Sequence, residues 1–215
     1  MEKLKILLAE DHRILREGLK RLIDEQPNME VVGEAGDGVD AWQKTQELEP
    51  DIVLMDISMP RLNGAAATVK IRELCPQVKV IALTGQRATA YLNEVLKAGV
   101  SGYVLKQAAV DELIDAITTV AKGGSYIDRA SQELMLNLYL DQNVAFKGEP
   151  RGKPLSDREI QILTLVASGY TNKEIANSLA ISVKTVESHK ANSMQKLDLK
   201  SRAEVVDYAR FRGWI

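Results

Sequence analysis

The 215-residue sequence predicts an α/β fold, a doubly wound five-stranded parallel sheet, followed by a small all-α domain. Two observations predict it. Over the first 125 residues, short apolar runs alternate five times with amphipathic stretches, which implies right-handed crossovers and helices on both faces of a parallel sheet. From Leu155 onward the apolar periodicity is helical only.

The apolar runs are 6–9, 31–32, 52–55, 80–83 and 103–105, each short enough for a strand buried on both faces. The amphipathic stretches are 14–25, 39–48, 65–74, 90–98 and 110–122. Residues 131–140 suit one more short helix. Residues 141–153 then lose periodicity and carry Gly148, Pro150 and Gly152, the marks of a linker. The expected division is a first domain over 1–125, a short helix and interdomain linker over 126–153, and a second domain over 154–215. Three S/T-x-x-E boxes mark helix starts in that last part: Ser156–Glu159, Thr171–Glu174 and Ser201–Glu204. Ser182 can cap a fourth helix and Gly169 can end the first.

Apolar residues make up 45% of the chain and charged residues 27%, which excludes a disordered polymer. No apolar run approaches the roughly 20 residues that span a bilayer, and the opening Met1-Glu2-Lys3-Leu4-Lys5, with no small-residue cleavage site after it, gives no expectation of a signal peptide. No membrane association is expected, and a cytoplasmic location is. Cys75 is the only cysteine, so no internal disulfide can form. The net charge of −2 hides an asymmetry: the balance is −5 over residues 1–128 and +3 over residues 129–215. An acidic half and a basic half suit different partners, a cation and a polyanion.

Open parallel sheets bind ligands beyond the carboxyl ends of their strands. There the sequence places Glu10 and Asp11 after the first run, Asp56 after the third, Thr84 after the fourth and Lys106 after the fifth. Carboxylates gathered at one edge are tolerable around a hard cation such as Mg²⁺, which prefers oxygen ligands. With a lysine and a hydroxyl donor added, the set suits a phosphoryl group. His12 beside the acidic pair reads as an exposed residue at a helix start, with a metal role as the alternative. Gly33, Gly36 and Gly38 read as a loop after the second strand, not a cofactor site.

The segments Leu7-Leu8-Ala9-Glu10-Asp11-His12, Val53-Leu54-Met55-Asp56-Ile57-Ser58-Met59-Pro60 and Gly102-Tyr103-Val104-Leu105-Lys106 resemble the CheY-like receiver domains of two-component systems over residues 4–122. The resemblance implies that Asp56 accepts a phosphoryl group from a sensor histidine kinase. It implies Mg²⁺ bound by Asp11, Asp56 and the Ser58 backbone carbonyl, with Glu10 acting mainly through water. Lys106 would pair with the phosphoryl oxygens, Thr84 would hydrogen-bond to one, and Tyr103 would rotate inward in response. Glu10 stands where the family often has Asp. Ser58 and Gln86 would tune the lifetime of the phosphoryl group.

In the second domain, residues 171–197 read as helix, tight turn, helix. On the second helix Val186, Ser193 and Leu197 share one face, while Lys184, Glu187, Ser188, Ala191 and Gln195 share the opposite, small and polar face. That face suits the major groove of DNA, with Lys190 and Lys196 reaching phosphates. Leu155-Ser156-Asp157-Arg158-Glu159, Thr171-Asn172-Lys173-Glu174-Ile175-Ala176 and Lys184-Thr185-Val186-Glu187-Ser188-His189 resemble the LuxR-type helix-turn-helix. The whole chain is thus similar to the NarL/FixJ group of transcription regulators. The resemblance implies a regulator that is not an enzyme in the usual sense, binds promoter DNA with Thr185 also at the interface, and forms a homodimer when phosphorylated. The family usually has an apolar residue where this chain has Ser193, which predicts looser packing there.

Two rival functions compete with this expectation. A phosphohydrolase using Asp56 as nucleophile would want a second carboxylate as acid/base, and Ile57-Ser58-Met59-Pro60 supplies none. A DNA-binding protein with an inert receiver conflicts with the intact set Asp11, Asp56, Thr84 and Lys106.

Overall fold

Strand order in the sheet is β2-β1-β3-β4-β5-β6, all neighbours parallel. The structure is a computed structural model that describes residues 3–85, 89–133, 135–136 and 155–215. The chain forms two compact units. The first is built on β1 (Leu4–Ala9), β2 (Met29–Ala35), β3 (Ile52–Asp56), β4 (Lys79–Thr84) and β5 (Gly102–Leu105), with a sixth strand, β6 (Tyr126–Ile127). Five helices connect the first six strands: α1 (Arg13–Asp24), α2 (Gly38–Leu48), α3 (Gly64–Leu74), α4 (Thr89–Lys97) and α5 (Val110–Ala121).

The sheet core has two layers. Ile6, Leu8, Ile52, Leu54, Ile81 and Val104 point toward Leu19 and Ile23 of α1 and Leu113, Ile117 and Val120 of α5. Leu7, Val53, Met55 and Val80 point the other way, toward Ala41 of α2 and Ala67 and Ile71 of α3. Alternate residues of one strand thus face opposite helical layers, which is why these strands read as continuous apolar runs. β3 is central and buried along its whole length, so Asp56 is delivered to the sheet edge on a rigid element.

Two details differ from expectation. β2 is longer than its apolar signal and only half-buried, because it is an edge strand. It includes Gly33, which pairs with Leu7 just past a register shift and so is not a loop residue. The sheet also gains β6 beyond the expected five strands. Asp128 explains the sixth: its buried carboxylate accepts from Leu105 N–H (3.1 Å), Ser131 N–H (2.9 Å) and the Ser131 hydroxyl (2.9 Å). Those bonds clip the chain that follows α5 against β5. Residues 129–133 are helical, so a helix does begin in this region; its expected continuation beyond 136, the 141–153 linker and Gln86 lie outside the described residues.

The second unit contains α6 (Asp157–Ala167), α7 (Asn172–Ser178), α8 (Val183–Lys196) and α9 (Arg202–Phe211). Two of the three expected capping boxes form in full, at Ser156–Glu159 and Thr171–Glu174. The third is half-formed. Ser201 accepts from Glu204 N–H, but the Glu204 carboxylate reaches one residue further back, to Lys200 N–H (2.7 Å). Between α7 and α8 the turn closes through Ala180, whose φ of 51° is left-handed, and through Ile181 N–H donating to Ala176 (3.0 Å). Among the described residues no helix is long and apolar enough to cross a membrane.

Candidate phosphoryl and metal site and DNA-reading helix

β1 carries Glu10 to the carboxyl edge of the sheet, where its main-chain N–H donates to Ala35 (3.0 Å). Arg16 donates to the Glu10 carbonyl (2.6 Å) and is itself held by Glu34 (3.1 Å), so the corner between β1 and α1 is braced. Glu10 and Asp56 are each 1% exposed. Between them lies the Lys106 ammonium, 2.7 Å from Glu10 Oε2 and 2.9 Å from Asp56 Oδ2. Asp56 Oδ1 accepts from Ser58 N–H (3.0 Å). Asp11 and His12 complete the rim, with His12 Nδ1 2.7 Å from Asp11 Oδ1.

Gly64 lets this edge close. Its N–H donates to the Ile57 carbonyl (3.1 Å), and a β-carbon at this position would overlap the Asp56 carbonyl oxygen. Only glycine permits so near a backbone approach.

Charge decides what the pocket can do. Burial, and then the neighbouring Glu10, raise the Asp56 carboxyl above its ordinary range; Lys106 opposes them without cancelling them. Burial also disfavours the charged form of Lys106, but Asp56 and Glu10 outweigh it and hold the ammonium protonated. One lysine therefore faces a surplus of carboxylate. Glu10 Oε2, Asp11 Oδ1 and Asp56 Oδ2 are buried and receive no hydrogen bond. Lys106 reaches Glu10 Oε2 and Asp56 Oδ2 as an ion pair, and His12 Nδ1 stands beside Asp11 Oδ1. Donor atoms of Glu10, Asp11, His12 and Asp56 all lie within 4.8 Å of one another. Buried, oxygen-rich and short of positive charge, the cluster fits a divalent cation.

Thr84 and Tyr103 sit beside it on β4 and β5. The Tyr103 ring is buried and its hydroxyl is hydrogen-bonded to Thr84, with burial and then Asp128 raising its pKa. In this structure the Tyr103 ring lies inward, the position expected of it in response to a phosphoryl group. An apolar ring with a partner for its hydroxyl gains by staying buried.

In the second unit, Lys184, Glu187, Ser188, Ala191 and Gln195 lie exposed along one side of α8, as the periodicity predicts. Val186 and Ser193 are buried on the opposite side. The Ser193 hydroxyl donates to the His189 carbonyl (2.6 Å), so the serine is satisfied where a packing defect was expected. Ser182 caps α8 by accepting from Thr185 N–H (3.0 Å), and the two hydroxyls lie 2.8 Å apart. Lys190 is half-buried.

Lys196 departs from expectation. Its ammonium lies 2.8 Å from both carboxylate oxygens of the buried Glu159 on α6. Burial alone would raise the Glu159 carboxyl, but Lys196 and Ser156 outweigh it and hold the group below its usual range. Lys196 therefore ties α8 to α6, where an outward side chain reaching phosphates is expected from the sequence. Sequence reasoning also missed Arg16, Asp128 and Glu159 as supports. Glu159 was legible only as a capping residue, and nothing local marked the other two.

Two family models match the chain: "Response regulator receiver domain" over residues 6–118 and "Bacterial regulatory proteins, luxR family" over residues 153–209. The oxygen regulatory protein NreC of Staphylococcus aureus is 45% identical over 210 residues, covering 96% of each chain. RcsB of Salmonella enterica serovar Typhimurium, solved bound to a promoter with the phosphomimetic BeF3⁻, superposes with a TM-score of 0.79 at 27% identity, covering 98% of this chain and 100% of that one. A structure of two RcsB dimers on two parallel DNAs gives 0.73 at 27% identity, over 96% and 98%. The paired receiver fold and helix-turn-helix, matched along nearly the full length of these relatives, place the chain among the two-component response regulators with a DNA-binding luxR-family domain, a family of regulators and not of conventional enzymes.

Proposed function

We propose that the receiver half, residues 1–125, takes a phosphoryl group on Asp56 from a sensor histidine kinase, and that the half from residue 154 onward reads promoter DNA. The observation that carries the reading is Lys106 held as the one ammonium between the buried carboxylates of Glu10 and Asp56, with Asp11 beside them. Asp11, Asp56 and the Ser58 carbonyl would hold Mg²⁺, with Glu10 behind them through water. When bound, Mg²⁺ supplies charge neutralisation on the transferring phosphoryl oxygens. An Asp56 carboxylate oxygen attacks phosphorus, the phosphorus–nitrogen bond of the donor phosphohistidine breaks, and an acyl phosphate forms as the imidazole leaves. Lys106 then turns from the carboxylate to the new phosphoryl oxygens. Thr84 donates its hydroxyl to another of them, and its bond to Tyr103 passes the change to β5.

The exposed side of α8 supports a major-groove reading in which Glu187, Ser188, Ala191 and Gln195 face bases and Lys184, Thr185 and Lys190 face phosphates. Lys196 leaves that set because Glu159 holds it. RcsB is seen as a dimer on DNA; by analogy a phosphorylated homodimer of this chain would set two recognition helices about 34–36 Å apart. The reading places the protein in the cytoplasm with its kinase partner and DNA.

The test is intact mass after incubation with a small acyl phosphate and Mg²⁺. Wild type is expected to gain one phosphoryl group, and neither Asp56→Asn nor wild type in excess chelator any. A gain on Asp56→Asn overturns the assignment. Sedimentation and DNA titration of the same samples are expected to show dimerisation and a gain of about 5–150-fold in DNA affinity.

A further inference from the structure

The receiver reading assigns no task to His12, yet its ring stands on the rim of the pocket. Nδ1 is 2.7 Å from Asp11 Oδ1 and 3.0 Å from Glu10 Oε1. Its main-chain N–H donates to Glu10 Oε1 (3.1 Å), which fixes the residue beside the acidic pair. His12 occupies the N-cap position of α1 but its side chain makes no capping bond, and it is 73% exposed. Neither the helix start nor the core needs an imidazole there.

We propose that His12 is a nitrogen ligand that makes this pocket a site for a borderline transition-metal dication, of which Zn²⁺ is the working example. The inference rests on the reading of Glu10, Asp11 and Asp56 as a cation site and adds a donor that Mg²⁺ does not use. Geometry supports it. Two donors each about 2.1 Å from one ion stand about 3.0–3.4 Å apart, and the spacings from His12 Nδ1 to the two carboxylates fall within a few tenths of an ångström of that range. The exposed ring has room to make up the difference. A second observation is independent of His12: Glu10 Oε2 and Asp56 Oδ2 are buried deeper in the same pocket and share the single Lys106 ammonium, 2.7 and 2.9 Å away, so carboxylate there exceeds cation.

The chemistry sets the class of ion. Mg²⁺ takes oxygen ligands and keeps its waters, so an imidazole adds little for it. Imidazole suits zinc, copper, iron and nickel, and affinity at mixed nitrogen–oxygen sites rises along the first-row dications toward copper. The two classes of ion share Asp11 and Asp56 and exclude each other, so a bound transition metal displaces Mg²⁺ from the phosphoryl site.

His12 and His189 are the only histidines, which makes the test direct. Full-length ¹⁵N-labelled protein is titrated with Zn²⁺ while the imidazole nitrogen signals are followed, and calorimetry measures Zn²⁺ and Mg²⁺ affinities in parallel. Zn²⁺ is expected to shift one imidazole, and that signal is absent in His12→Ala. His12→Ala should weaken Zn²⁺ by about tenfold or more, since even losing an outer-shell partner costs about 10–100-fold. Its Mg²⁺ affinity should change by less than about twofold. His12→Gln, which keeps a polar side chain, should behave as His12→Ala does. Zn²⁺ shifting neither ring, or only His189, overturns the proposal. So does an unchanged Zn²⁺ affinity in His12→Ala. Asp11→Asn separates the two levels. If it abolishes Mg²⁺ binding while His12→Ala keeps full Zn²⁺ affinity, only the role of His12 fails. If it leaves both ions bound, the carboxylate site itself is wrong and the His12 proposal falls with it.

Discussion

Lys106 and Lys196 both set an ammonium against buried carboxylate, one in each unit. Lys196 meets Glu159 alone, both oxygens at 2.8 Å, and Ser156 supplies that carboxylate with further hydrogen bonds. Lys106 meets Glu10 and Asp56 together, with Asp11 on the rim, so one ammonium serves more than one carboxylate. Burial raises both carboxyls, but much more at the deeply enclosed Asp56, and the outcome is opposite: Glu159 is held below its usual range and Asp56 is pushed above it. Depth of burial and the ratio of carboxylate to cation together separate a staple from a site. A one-to-one pair with full hydrogen bonding is complete as it stands. A surplus of buried negative charge is stable only if something else supplies positive charge.

The largest test of that contrast is Glu159→Gln. It leaves Lys196 partly buried without its counter-ion and should destabilise the second unit by about 1–3 kcal/mol. Hydrogen exchange at amides of α6 and α8 reads that loss. Because the folded Glu159 carboxyl is lowered, its contribution is fully present above the ordinary glutamate range. It is lost as pH falls through the lowered folded value. Protection that is indifferent to this substitution would make the pair an ornament.

Gly64→Ala acts on the other pocket through the backbone. The added methyl meets the Asp56 carbonyl, and the resulting shift should cost about 1–3 kcal/mol. It should also weaken Mg²⁺ binding measured by calorimetry. Normal stability and normal Mg²⁺ affinity would show that α3 can slide away from Asp56 freely.

Lys190→Ala and Lys196→Ala should part company. The first is expected to weaken binding to all DNA sequences and lower the salt slope by about one unit. The second should lower stability and leave the slope nearly unchanged. Equal slopes for the two variants would return Lys196 to the DNA surface. The smallest effect is expected at Ser193→Ala. It removes one hydroxyl bond to the His189 carbonyl and should cost less than about 1 kcal/mol in denaturant titration.

Much of this was legible because its causes are local. Strands buried on both faces must be apolar along their length, so β1, β3, β4 and β5 announce themselves and place Glu10, Asp11, Asp56, Thr84 and Lys106 at or just past their ends. A capping box spans four residues, and two of three formed as read. The exposed side of α8 follows from a period of 3.6. β2 was underestimated because an edge strand need not be apolar.

The sequence by itself therefore determined the layered α/β sheet, the all-α unit after it and the strand-end positions of the acidic cluster. Only the tertiary structure decided which charges are spent and which remain. Glu159 and Lys196 are 37 residues apart, Asp128 and Leu105 are 23, and Lys106 and Glu10 are 96. Periodicity reports neighbours within about one helical turn or one strand pair. An ion pair is instead set by distance in space and by the burial around it, and both come into being only when the elements pack.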